Sequence, residues 1–167
     1  MKTQPHIDEK LFRLTMGCFA SGVTVVTSAR GAEIAGTTVS AFSSLSLNPP
    51  LVLVCLDETS ATRALIDDAR VFAVNVLAEG QEALSDRFAQ PREEGDPLQF
   101  DGVGWRPGTT GSPILQGCHA FAECRVEAVH DGGDHRIYVG RVTALGFDEN
   151  NTRPLVYHAG EYRRLEG

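Results

Sequence analysis

The stretch that most constrains the fold runs from Cys118 to Ala128, where small or apolar residues alternate with polar or aromatic ones without a break. Cys118, Ala120, Ala122, Cys124, Val126 and Ala128 fall on one face; His119, Phe121, Glu123, Arg125 and Glu127 fall on the other. A period of two is that of a half-buried antiparallel strand. Its small inner side chains suit the wall of a tightly curved barrel. Asp131-Gly-Gly-Asp134 supplies turn residues, and His135 to Leu145 returns as the next strand.

The rest of the chain supports a barrel. Gly22 to Ser28 is β-branched and strand-like, and Ala29 to Ala32 turns into a second strand starting near Glu33. Gly36 inside that strand predicts a bulge, or a place where another backbone or a ligand comes close. Leu51 to Leu56 reads as a fully buried strand and Val71 to Leu77 as another, interrupted by Asn75. An amide in that setting must find partners, either as structural glue or as a ligand contact. Residues 7–19 predict an amphipathic helix that packs through Ile7, Leu11, Phe12, Met16 and Phe19, with Asp8 and Glu9 in its first turn.

A second helix, Thr59 to Ala69, is capped by Thr59 or Ser60, and Arg63 lies on its first turn. Arg63 serves either an anion at the helix N-terminus or, the blander reading that pattern favours, nothing but solvent. A third helix spans Glu79 to Gln90. Residues 91–112 form the longest irregular stretch, which suits a lid, a binding loop or a dimer contact, and hold the single tryptophan, Trp105. A short last segment carries Tyr157, His158, Gly160 and Tyr162. Strands outnumber helices. The expected fold is mainly β with peripheral helices, a closed or nearly closed barrel in one domain, 1–167.

The formal net charge of −7 excludes a general nucleic-acid binder, which needs a basic footprint, and requires that any anionic ligand be held by local donors. No pair of the four cysteines, Cys18, Cys55, Cys118 and Cys124, has CxxC spacing. They read as small buried hydrophobes in a reducing compartment. No apolar run approaches membrane-spanning length and the N-terminus lacks an apolar signal core, so a cytoplasmic location and no membrane partner are expected.

Chemistry is narrowed by elimination. The chain has no GxSxG, HExxH, Walker A or GxGxxG motif, and its five histidines form no local metal-ligand pair. Thr37 to Pro50 is the segment richest in uncharged donors: Thr37, Thr38, Ser40, Ser43, Ser44 and Ser46 carry hydroxyls, and Pro49-Pro50 then extends the backbone into the 51–56 strand. It suits a flat, polar-edged ligand, or equally an edge strand with a serine loop. A barrel with hydroxyls, amides and two arginines suits a reaction whose hard chemistry belongs to a bound cofactor.

Seven blocks then resemble one family in order and in register: SGVTVVTS (21–28), GTTVSAFSSLSLNPPLVLVCL (36–56), SATRAL (60–65), FAVNVL (72–77), LSDRFA (84–89), GDHRIYVGRV (133–142) and PLVYHAGEY (154–162). The chain resembles the short-chain flavin reductases, the reductase components of two-component flavin monooxygenases. That resemblance implies a Greek-key, split β-barrel homodimer that reduces FMN or FAD with NADH or NADPH and passes reduced flavin to a separate oxygenase. It places Thr37, Thr38, Val39 and Ser40 at the isoalloxazine ring, with Cys55 and Leu56 closing the ring pocket. Asn75 and Val76 approach the flavin, Ser60 and Thr62 bind phosphate, and Arg87 and Phe88 lie near the ribityl-phosphate tail. His135 falls at the nicotinamide as the catalytic candidate. The chain departs from the family pattern at Thr37 and Ala41, where relatives often carry Met and Ser or Asn, and in FASGV, where many carry FPTGV.

Hydride transfer of this kind depends on stacking and orientation more than on a general base. Two competing readings share the barrel: a non-catalytic flavin or haem carrier, and a pyridoxamine-phosphate-oxidase-like enzyme. The second needs a basic cluster that Arg63 and Arg87 alone do not make.

Overall fold

Twelve strands and three α-helices, in a computed structural model that describes residues 7–91, 97–151 and 153–165, build the chain. In order they are α1 (Glu9–Gly17), β1 (Ser21–Gly22), β2 (Thr24–Arg30), β3 (Glu33–Val39), β4 (Phe42–Ser46), β5 (Leu51–Asp57), α2 (Ala61–Ala69) and β6 (Val71–Val76). There follow α3 (Glu82–Ala89), a 3₁₀ turn (Pro97–Phe100), β7 (Trp105–Pro107), β8 (Pro113–Leu115), β9 (Ala120–Asp131), β10 (His135–Phe147), β11 (Val156–His158) and β12 (Glu161–Arg163).

Seven strands form one antiparallel sheet in the order β3-β2-β6-β9-β10-β5-β4. The chain itself proves that this sheet is curled. Its two edge strands, β3 and β4, are joined by Ser40-Ala41 alone. Six spacings of a flat sheet amount to about 29 Å, whereas the three Cα steps from Val39 to Phe42 span at most about 11 Å. The ends must therefore meet, and Cys55 N donates to the Ala41 carbonyl (3.0 Å) at the join. No ladder links β3 to β4 among the described residues, so the barrel stays split along this seam.

Burial follows the curl. Val26, Val39, Val52, Val54, Leu56, Phe72, Val74, Cys124 and Tyr138 pack inside the barrel with Ile66 of α2. Val23, Val25, Leu77, Phe88, Phe100, Leu115 and Leu155 form a second cluster. Consecutive residues of β2, Val25 and Val26, point to different clusters, as strand alternation requires. Covering both faces buries Val71 to Asn75 of β6 entirely, and each large apolar side chain so buried contributes about 1.5–3 kcal/mol. The β9–β10 hairpin shifts register between Val139 and Gly140. Glycine is needed there because a Cβ would collide with the Phe72 ring.

Several expectations are corrected. β5 is not fully buried: Val52, Val54 and Leu56 face the core, while Leu51, Leu53 and Cys55 stay half-exposed, because β5 has one face covered rather than two. Helix α1 begins at Glu9, with Asp8 as its cap accepting from Lys10 N (3.1 Å), and it buries none of its residues within this chain. Helix α3 starts at Glu82, three residues later than expected. Cys18 is exposed, Cys55 and Cys118 are partly buried, and Cys124 alone is fully enclosed, its thiol pushed up to about 12 by burial first and by the Glu123 charge second. The stretch 91–112, expected to be irregular, contains the 3₁₀ turn and strand β7, which pairs with β8; residues 92–96 lie outside the described residues. No described helix is long and apolar enough to cross a membrane.

Candidate functional site

At one end of β5 the chain leaves the sheet at Asp57 and enters α2 four residues later, at Ala61. The Asp57 carboxylate accepts from both donors of Thr59, the hydroxyl (2.6 Å) and the amide (2.7 Å). Those bonds, the hydroxyl's first and then the amide's, hold its carboxyl below the usual range, with a smaller contribution from His135. Thr59 is thereby diverted from capping the helix. Ser60 occupies the cap position with extended backbone, yet its side chain makes no capping bond. The expected cap is absent, and the first-turn amides of α2 are left to whatever approaches.

What adjoins them is a cavity of about 250 Å³ lined by Gly36, Thr37, Asp57, Thr59, Ser60, Ala61, Thr62, Ala89, Gln90 and Pro91. Besides Thr59, whose hydroxyl Asp57 engages, three hydroxyl residues, Thr37, Ser60 and Thr62, line it at the helix N-terminus. Unsatisfied amides and the helix dipole together favour an anion. This donor set fits a phosphate in a protein of net charge −7, which must hold anions by local groups.

His135 arrives at the same end. It is the first residue of β10 and pairs in register with Asp57, and the Asp134 carbonyl before it accepts from Glu58 N (3.1 Å). Its Nδ1 lies 2.7 Å from Asp134 Oδ1, which directs Nε2 away from that carboxylate, and the ring is partly exposed. Ser60 and His135, far apart in sequence, thus stand on neighbouring turns. Arg63 does not join them. It is neither a phosphate ligand here nor a solvated arginine: Nη1 donates to Asp67 (2.5 Å), which also accepts from the enclosed Tyr138 hydroxyl (2.6 Å).

The other residues expected at the flavin divide. Strand alternation splits Thr37–Ser40. Val39 turns into the barrel core. Thr38 and Ser40 line a different cavity, of about 300 Å³, with Ser85, Asp86, Tyr157 and Tyr162. There the Thr38 hydroxyl donates to the Ser85 carbonyl (2.6 Å), and the Tyr162 hydroxyl donates to Asp86 (2.5 Å). Burial first, and then that bond, raises the Tyr162 phenol above its ordinary value. The hydroxyl row is thus divided into two short sets on opposite faces of β3.

Leu56 faces the core and Cys55 does not; burial raises the Cys55 thiol. Asn75 is fully enclosed, and its side chain is saturated by protein groups. Its amide lies within hydrogen-bond distance of the Val25 carbonyl, the Thr27 hydroxyl and the Pro113 carbonyl, and its oxygen accepts from Leu115 N (2.8 Å). It is glue between β6 and β8, the structural one of the two roles open to an amide in an apolar strand. Val76 beside it is half-buried, and its carbonyl accepts from His119 N (2.8 Å). Phe88 is 1% exposed and stacks edge-on against Phe100 (5.0 Å). Its ring also accounts for Gly36, where a Cβ would lie 2.7 Å from it; the close approach expected at that glycine is an aromatic ring from behind. Arg87 donates to the Asp101 carbonyl (2.6 Å), away from the phosphate-type cavity. Neither member of the Arg-Phe pair lines that cavity; Phe88 alone packs against it, at Gly36.

Sequence reasoning missed the Glu123 clasp. Glu123 is 2% exposed, and its carboxylate accepts from Thr109 N (3.0 Å), Thr110 N (2.8 Å) and both hydroxyls, fastening the β7–β8 hairpin to β9. Burial raises this carboxyl, but the bonds from Thr110 and then Thr109 outweigh it and leave it below its ordinary value. The only sign in the sequence was an acid on a face that β7–β8 turned out to cover. The same hairpin walls a groove of about 800 Å³, with Trp105, Arg106, Phe121 and Phe147. None of the expected site residues lines it, and Phe147, which forms part of it, is 70% exposed.

A curled seven-stranded barrel with a hydroxyl-lined cavity at a helix N-terminus is the class of protein that fold and site define. The particular family follows from comparison. Residues 16–166 match the model of the flavin reductase like domain, and the chain belongs to that family. It is 41% identical, over 96% of this chain and 80% of the relative, to the flavin-dependent monooxygenase reductase subunit HsaB of Rhodococcus jostii (strain RHA1). It is 38% identical, over 97% and 89%, to an NADH-dependent flavin reductase of a Rhodococcus species. The solved Streptomyces globisporus C-1027 NADH:FAD oxidoreductase SgcE6 superposes with a TM-score of 0.89 at 34% identity, covering 98% of this chain and 99% of that one.

Proposed function

We propose that this protein is an NADH-dependent flavin reductase that transfers hydride from nicotinamide to FMN or FAD and supplies reduced flavin to a separate monooxygenase. One observation carries the reading: the uncapped N-terminus of α2, the hydroxyls of Thr37, Ser60 and Thr62, and His135 converge at one end of the barrel. The relatives' names, which specify NADH and reductase subunits of monooxygenases, supply donor and partner class.

When bound, the flavin supplies the ring that accepts hydride. Thr37, Ser60, Thr62 and the free α2 amides hold its phosphate. His135, with Nδ1 engaged by Asp134, presents Nε2 to orient the nicotinamide amide; orientation of this kind accounts for a large share of barrier lowering in such reactions. Asp57 keeps Thr59 out of the helix cap, and so keeps the anion site open.

The reading includes a homodimer. Helix α1 has nine residues, too short to persist on propensity alone, and leaves Leu11, Phe12, Leu14 and Met16 exposed. Leu47, Leu145 and Phe147 are exposed as well. A second copy covering these side chains accounts for their exposure, since exposed apolar surface of this kind marks interaction sites. A cavity of about 250 Å³ is also below the roughly 300–1,000 Å³ that encloses a drug-sized ligand, so a whole flavin calls for a second wall. Four free thiols and dependence on NADH suit the cytoplasm.

The test follows nicotinamide absorbance after adding FMN or FAD, with NADPH in parallel. Flavin-dependent loss of NADH absorbance is expected. A coloured protein that leaves NADH untouched would overturn the reading in favour of a carrier.

A further inference from the structure

β3 is an edge strand of the barrel, and Gly36 and Thr37 on it line the phosphate-type pocket. An edge strand has one side without a strand partner, so its position is set by whatever satisfies that side. At Gly36 the N–H donates to the side-chain oxygen of Gln99 (3.2 Å), 63 residues further along and 7% exposed. The next residue, Phe100, stacks edge-on against Phe88 (5.0 Å) and against Trp105 (6.0 Å), and the Phe88 ring presses on Gly36 from behind. Two consecutive residues of the 3₁₀ turn therefore act on one peptide: Gln99 by a hydrogen bond, Phe100 through an aromatic stack. Gly36 has no side chain to lock, so this peptide is the part of the strand least restrained by its own chemistry.

The geometry points to Gln99 as a positioning residue for flavin binding: it fixes the Gly36–Thr37 backbone and thereby the Thr37 hydroxyl against Ser60 and Thr62. It touches no ligand itself. The inference rests on reading that pocket as the flavin phosphate site.

The test compares Gln99→Met, which keeps length and loses the acceptor, with Gln99→Glu, which keeps an acceptor oxygen. In Gln99→Met the Gly36 amide is expected to exchange with solvent roughly tenfold faster, because its bond partner is gone. The KM for flavin should rise roughly tenfold, with kcat and the KM for NADH within about twofold, the pattern of lost uniform binding. Gln99→Glu should retain Gly36 protection and most of the flavin affinity. Faster Gly36 exchange with unchanged flavin KM would overturn the positioning role, as would flavin and NADH KM values rising together. A Ser60→Ala/Thr62→Val double variant separates the two claims. If it leaves flavin KM at the native value, the pocket reading fails; if it raises KM while Gln99→Met does not, only the positioning role fails.

Discussion

The α2 entrance and the β7–β8 clasp are built from the same residue types and do opposite things. At the clasp, Glu123 takes four hydrogen bonds from Thr109 and Thr110, and Asn75 spends its whole amide on neighbouring carbonyls, a hydroxyl and an amide. At the entrance, Asp57 takes two bonds from Thr59, while the Ser60 hydroxyl and the α2 amides are left without a cap. Threonine with an acid is glue where every group is saturated in the interior, and a ligand site where donors face a cavity. Composition does not distinguish the two cases; saturation does.

The comparison is broken most readily at the clasp. Glu123→Ala leaves the donors of Thr109 and Thr110 without an acceptor and should destabilise the protein by about 3 kcal/mol in urea unfolding. Flavin KM should hardly change, and a comparable rise in KM would erase the distinction between glue and site. Asn75→Leu removes the bonds that bind β8 to β6, and a loss of about 2 kcal/mol is expected, again without a selective effect on flavin. An unaltered unfolding midpoint would return Asn75 to the list of ligand contacts.

At the entrance the order of effects reverses. His135→Ala should leave the unfolding midpoint within about 0.5 kcal/mol of native, as for a surface substitution, while the KM for NADH rises roughly tenfold and flavin binding changes less. Unchanged NADH kinetics would remove His135 from the nicotinamide side. The smallest effect concerns pH. The folded Glu123 carboxyl titrates below its ordinary value of 4.5. Its stabilisation is thus fully present above that value and drains away as pH falls through the depressed folded value. Glu123→Gln should flatten the stability profile below about pH 4.5 and leave its slope above that pH unchanged. A slope that is the same in both proteins would mean that the carboxylate form contributes nothing to the clasp.

Much of the barrel was legible along the chain. The Cys118–Ala128 alternation with the Asp131–Asp134 turn corresponds to β9 and β10, and the strand readings near 24, 33, 51 and 71 fall on β2, β3, β5 and β6. The family resemblance put Ser60 and Thr62 at a phosphate and Thr37 at the ring, and all three line one cavity. Less legible was the direction in which neighbours point. Thr37 and Thr38 are adjacent and chemically identical, yet one faces the pocket with Ser60 and the other bonds to α3, because successive side chains leave a strand on opposite faces. Phe88 looked like a ligand neighbour and is the wall behind Gly36. The hairpin β7–β8 was hidden because its strands are three residues each, too short for a periodic signal.

Local pattern alone determined that the chain forms antiparallel strands with a helix after β5, since alternation, turn residues and hydroxyls near a helix start act within a few residues. The capture of Thr59 by Asp57, which leaves this helix start uncapped, is also local, spanning two residues. The tertiary structure alone decided what stands beside the open amides, because that depends on β3 and the β9–β10 turn arriving there. Curling the sheet until Val39 and Phe42 meet brings residues from four separate stretches to one rim. A site made at the rim of a split barrel exists only once the sheet has curled.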